Sequence, residues 1–206
     1  MIESLPKEIM KKNKDRFTNV LMEAGERGTE KLLNWLEKET DFFEAPASTT
    51  FHTNMRGGLC QHSLNVLDAG IKLNEDYKLG LEKESIILVC LLHDLCKVNF
   101  YIEKEVWDKK WKDETNEWRK TTEWKVEDSF PVGHGEKSVF LALRYIKLSD
   151  EEIAAIRWHM HAYEAGIHFN YPSGFPFRTA MEKYPLSKLL IISDQIAEMT
   201  ESLERK

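Results

Sequence analysis

Apolar residues recur at helical spacing through most of this chain. Near residues 5–25, Met10, Phe17, Val20 and Leu21 fall on one face, and Pro6 suits a first helical turn. Thr29 can cap a second helix that runs to about Glu39, with Leu32, Leu33 and Leu36 on one side. The stretch FFEAPASTTFHTNMRGG breaks the periodicity, and its Pro and paired Gly mark a loop. A long helix is expected from about Leu59 to Tyr77, carrying Leu64, Val66, Leu67 and Ile71. The next begins near Glu84. Its segment SIILVCLLHDL is apolar nearly all round, which places it at the centre of the fold. Its length favours a helix over a buried strand.

Residues 98–128 have a different texture. They hold four of the six tryptophans amid dense charge, and DETNE lies between two aromatic and β-branched segments, the pattern of a β-hairpin. GHGEKSVFLALRYIKL then reads as an amphipathic helix. Ser149 and Glu152 form a capping box that opens the helix EEIAAIRWHM. Gly166, Pro172, Gly174 and Pro176 predict a long loop over 162–178, and a last helix starts near Pro185. The fold class is therefore mostly α, with a β-hairpin inserted near residues 98–128.

Composition narrows the function. The chain has 206 residues, 42% hydrophobic and 31% charged, a globular balance. Lys and Arg number 29 against 35 Asp and Glu, and the net charge of −6 argues against duplex nucleic acid as a partner. No apolar run is long enough for a membrane span, and no secretory signal core is visible. The three cysteines, Cys60, Cys90 and Cys96, lack CxxC spacing and read as reduced thiols of a cytoplasmic protein.

The candidate chemistry lies in the histidines and two aspartates. His93 and Asp94 end the most apolar helix, and Asp194 sits within LLIISDQIA. A buried carboxylate without a partner is costly. Two of them, with histidines on other apolar helices, point to a shared cation. Imidazole nitrogen and carboxylate oxygen suit Fe, Mn, Zn, Ni or Co.

The order of these residues resembles the HD-domain superfamily of metal-dependent phosphohydrolases. His62 in GGLCQHSLNVL, His93-Asp94 in LLHDLCK and Asp194 in IISDQIA match its histidine, His-Asp pair and distant aspartate. His134 in GHGEKS and His159 in IRWHM match the additional histidines of many members. MRGGLCQHS is also similar to HD-type 3′–5′ exoribonucleases, and GHGEKS with IRWHM to small bacterial and phage HD hydrolases. The resemblance covers roughly residues 52–200 and implies an HD helical bundle over 51–206, with N-terminal helices of residues 1–50 packed on its core.

The resemblance implies that His62, His93, Asp94 and Asp194 hold one divalent ion. His134 and His159 would complete a second site, with Asp94 bridging the two. Asp94 and Lys97 are the expected catalytic residues. The chain departs from the common His-Asp-Ile-Gly-Lys in having Cys96, readable as a packed thiol or as a metal contact. It also has His159-Met160-His161 where some relatives have adjacent histidines, and helical geometry favours His159. Arg56, Lys137 and Arg178 are candidates for phosphate contact, and His52 for the pocket lining. The expected substrate is a small anionic phosphomonoester or phosphodiester, a nucleotide first of all, attacked by a metal-activated water. A 3′–5′ exonuclease, a di-iron oxygenase and a non-catalytic nucleotide-binding module are the alternatives. His168 and the aromatics of 163–177 read as loop packing or as a base-stacking lid. The tryptophan hairpin reads as cross-strand aromatic pairing, single-strand binding or a homodimer contact.

Overall fold

The computed structural model describes residues 2–49, 53–112, 118–160 and 174–204, with side chains of 108–119, 174 and 204 excepted. The expected turn at 113–117, His52, His161, His168 and the loop residues 162–173 lie outside these. Among the described residues are eight helices and one antiparallel hairpin. Helices α1 (Lys7–Glu23), α2 (Thr29–Glu39), α3 (Gly58–Asp76) and α4 (Lys83–Leu92) come first. A single 3-10 turn, Leu95–Lys97, leads into β1 (Tyr101–Lys112) and β2 (Trp118–Val126). Helices α5 (His134–Leu143), α6 (Asp150–Trp158), α7 (Gly174–Lys183) and α8 (Pro185–Glu204) complete the fold. None of these helices is long and apolar enough to cross a membrane.

Helix α4 is the axis, as its all-round apolarity requires. Every residue from Ile86 to Leu92 is buried, and α1, α3, α6 and α8 pack around it. The N-terminal helices add Phe17, Leu21, Leu32 and Leu36 to the same core. Two glycines control how the surrounding helices approach. A Cβ on Gly58 would lie 2.0 Å from the Thr53 carbonyl oxygen, so Gly58 lets the preceding loop fold back on the start of α3. A Cβ on Gly135 would lie 2.1 Å from the Arg157 carbonyl oxygen. Glycine there allows the first turn of α5 to press against the end of α6.

The capping box at Ser149 is present: its hydroxyl accepts from the Glu152 N–H, and the Glu152 carboxylate accepts from the Ser149 N–H. Two expectations need correction. Residues 174–178 are helical rather than loop, because Pro176 falls in the first turn of α7, where its missing N–H costs no bond. Neither described tryptophan side chain of the hairpin faces another tryptophan: the register sets Trp107 opposite Lys120 and Trp124 opposite Glu103. Lys120 Nζ lies 5.5 Å from the centre of the exposed Trp107 ring, a cation–π contact. Trp124 is buried and donates its indole N–H to the Asn54 carbonyl at 3.1 Å.

Candidate metal centre

Five segments bring their chemistry to one place. His62 comes from the second turn of α3, and His93 and Asp94 from the end of α4, where the helix gives way to the 3-10 turn. His134 is the first residue of α5, His159 directly follows α6, and Asp194 is in the middle of α8. His62, His93, Asp94, His159 and Asp194 are buried, while the His134 side chain is 28% exposed and forms the open edge.

Asp94 divides the cluster. Its Oδ2 lies 3.8 Å from His62 Nε2, 3.5 Å from His93 Nε2 and 2.6 Å from Lys97 Nζ. Its Oδ1 lies 2.8 Å from His134 Nε2 and 3.7 Å from His159 Nε2. Asp194 Oδ1 closes the first half, 3.0 Å from His62 Nε2 and 3.8 Å from His93 Nε2. Potential ligand atoms of His62, His93 and Asp194 lie within 4.8 Å of one another, as do those of His93, Asp94 and His159.

The imidazoles are oriented from behind. His93 Nδ1 lies 2.9 Å from the Cys90 carbonyl oxygen and His159 Nδ1 2.7 Å from that of Ile156. A carbonyl only accepts, so each Nδ1 carries the hydrogen, and each Nε2 turns a lone pair toward the aspartates. Both Nε2 atoms are buried without a hydrogen-bond partner among the described residues, and Asp194 Oδ1 accepts no bond of proper alignment. Buried polar groups are normally satisfied, so this set of nitrogen and oxygen donors fits a divalent transition metal.

Electrostatics agrees with that fit. Burial pushes Asp94 up, but Lys97 and the surrounding imidazoles hold its carboxyl well below the usual range. Burial lowers His93 to about 4, which keeps it neutral and able to ligate. Burial also opposes charge on His62, yet Asp194 and Glu201 raise it to about 10. A cation held there would displace a proton from His62.

Glu201 was not legible from the motifs. Its carboxylate lies 3.1 Å from His62 Nδ1 and is almost fully buried. A chain of amides supports it: Asn13 donates to Gln61, Gln61 to Asn65, and Asn65 to Glu201 at 2.7 Å. Its signal was positional, since Glu201 falls seven residues after Asp194 on the same face of α8. A carboxylate behind a ligating histidine fixes the ring and raises its basicity. Glu201→Gln is expected to weaken metal binding ~10–100-fold in chelator competition. Unchanged affinity would reduce Glu201 to a packing role. An open groove of about 550 Å³, lined by Met55, Gln61, Asn65, Ile196 and Thr200, reaches the cluster through Glu201. It adjoins the Nδ1 side of His62, away from the converging Nε2 atoms.

The remaining candidates are placed as follows. Lys97 donates to Asp94; burial opposes its charge, but Asp94 outweighs that and raises its pKa. Lys137, one turn after His134, is buried, donates to Asp128 at 2.5 Å and lies over the Phe100 ring. Arg56 pairs with Glu103 and lies over Trp124. Arg178 is exposed on α7.

Comparison with known proteins matches this geometry to a family. The HD domain family model matches residues 59–199, a span from the start of α3 to the last turns of α8. A dihydroneopterin 2′,3′-cyclic phosphate phosphodiesterase of Methanocaldococcus jannaschii is 39% identical over 66 residues. That match takes in 30% of this chain and 26% of the relative, so the chain spans about a quarter of that protein's length. No solved structure matches. With every residue of the histidine and aspartate pattern gathered around Asp94, the chain belongs to the HD domain family of metal-dependent phosphohydrolases.

Proposed function

We propose that this protein hydrolyses a small phosphoester, with a phosphodiester of a nucleotide as the favoured class. The observation that carries the reading is the convergence on the two oxygens of Asp94 of the buried Nε2 atoms of His93 and His159, which have no hydrogen-bond partner among the described residues. The resemblance of 66 residues to a cyclic phosphate phosphodiesterase favours the diester within that class.

His62, His93, Asp94 and Asp194 would hold one divalent ion, and Asp94, His134 and His159 a second. When bound, such ions supply a water acidified to near neutral pH and positive charge for the phosphoryl oxygens. Asp94 is held ionised by Lys97, so its oxygens remain acceptors that orient the water's proton. Lys97 keeps its charge because its pKa lies above the ordinary range, so it acts electrostatically. His134 stands at the open edge and stays neutral, because burial lowers its pKa. A neutral ring at this edge suits a ligand of the second ion.

The test is turnover of Mn²⁺-, Co²⁺- or Fe²⁺-loaded protein with bis(p-nitrophenyl) phosphate, p-nitrophenyl phosphate and 2′,3′-cyclic nucleotides. Diester and cyclic substrates are expected to turn over fastest, and Lys97→Met is expected to cost ~10²-fold in kcat. Monoester hydrolysis alone would move the assignment to a phosphomonoesterase. No turnover by fully loaded protein would favour a binding module.

A further inference from the structure

We propose that Cys96 is a metal ligand, and that its thiolate joins Asp94, His134 and His159 to make a soft-donor half of the centre. This rests on the metallohydrolase reading and adds a sulfur ligand to it.

The geometry of Cys96 differs from that of a packed thiol. Its Sγ lies 3.2 Å from His134 Nε2, the same nitrogen that lies 2.8 Å from Asp94 Oδ1. Ligand atoms of Asp94, Cys96 and His134 lie within 4.8 Å of one another. Cys90, by contrast, sits inside the α3–α4 crossing, its sulfur against Gly70 and Ile86 close by. The second observation comes from another helix. His159 Nε2 is fully buried, has no hydrogen-bond partner among the described residues, and stands 3.7 Å from the same Asp94 oxygen that faces His134. Its ring centre is 5.2 Å from that of His134. Cys96 Sγ and His134 Nε2 thus lie together beside Asp94, and His159 Nε2 faces the same Asp94 oxygen from a third segment.

The backbone holds the sulfur there. Cys96 lies in the 3-10 turn that follows Asp94, and its N–H donates to Ser138 Oγ at 3.0 Å. Ser138 is four residues beyond His134 on α5, so one bond ties the turn carrying the thiol to the helix carrying the imidazole. Glycine or alanine at position 96 would keep the turn and lose the donor. Forming the metal–sulfur bond would break the S–H bond and release its proton to solvent, with no change of oxidation state.

The chemical consequence is selectivity. A thiolate favours Zn²⁺, Fe²⁺ and Co²⁺ over the harder Mn²⁺ and Mg²⁺. The first half of the centre, with imidazoles and carboxylates alone, carries no such bias. The two halves would then prefer different ions.

Cobalt substitution reads this directly. Metal-free full-length protein is titrated with Co²⁺ under reducing, anaerobic conditions, and bound cobalt is counted separately. The expected spectrum has visible d–d bands together with a near-ultraviolet thiolate-to-cobalt charge-transfer band. Cys96→Ser should lose the charge-transfer band, keep d–d absorption from the first half, and bind the second equivalent at least ~10-fold more weakly. Cobalt bound by the wild type without a charge-transfer band overturns the proposal while leaving the metallohydrolase reading intact. A band that survives Cys96→Ser overturns it as well. No bound cobalt in any form overturns both.

Discussion

Asp94→Asn should abolish metal loading and phosphoester hydrolysis together. The substitution preserves shape and removes the charge that faces both halves of the cluster. Asp94 Oδ2 is directed toward His62, His93 and Lys97, and Oδ1 toward His134 and His159. A neutral amide also presents an NH₂ group, and a donor in place of either oxygen repels the cation. The loss is separable from misfolding. A metal present at a thousandfold excess over its Kd stabilises a folded protein by about 4 kcal/mol. Wild-type protein should therefore show a metal-dependent rise in Tm, and Asp94→Asn should show none while retaining helical circular dichroism. Hydrolysis should fall by at least ~10²-fold. A variant that keeps its thermal shift would remove Asp94 from the ligand set.

The largest effect on stability should come from outside the centre, at Glu152. It is 1% exposed and accepts from Arg27 Nη1 at 2.7 Å, Arg27 Nη2 at 2.5 Å and Ser85 Oγ at 2.8 Å. It also closes the cap of α6, the helix that ends at His159. Glu152→Ala leaves the Arg27 guanidinium without its carboxylate partner and is expected to cost ~3–5 kcal/mol, a fall in Tm of about 10 °C. Burial opposes the Glu152 charge, but Arg27 and the two serines hold its pKa below the ordinary value of 4.5. The ionised form is therefore the stabilising one. Its contribution is complete above pH 4.5 and is lost as pH falls through the lowered folded pKa. In urea unfolding, the gap between wild type and Glu152→Ala should be full at pH 7 and narrow toward pH 3. A gap that widens in acid would contradict this sign.

The sequence displayed the helices well because each has a persistent apolar stripe, and α4 an apolar surface all round. The capping box was legible because its two bonds are local. The hairpin strands were visible, but their register was not: Trp107 faces Lys120 because of strand alignment, which composition does not encode. The helical start of α7 was hidden by Gly174 and Pro176, which mark loops and helix first turns alike.

At the centre, the histidines and aspartates were readable as an ordered motif. Their division around the two oxygens of Asp94 was not, because it depends on how α3, α5, α6 and α8 cross α4. Glu201 was hidden in the same way: it is unremarkable in its own segment and meets His62 only because α8 crosses α3. Cys96 was readable as a departure from the motif, but its contact with His134 was not.

The most direct test of the metal centre is elemental analysis of tag-free protein, reconstituted anaerobically and compared with Asp94→Asn. The account predicts about two equivalents of transition metal per chain and loss of both in the variant. Wild-type protein that holds no metal after reconstitution would contradict it.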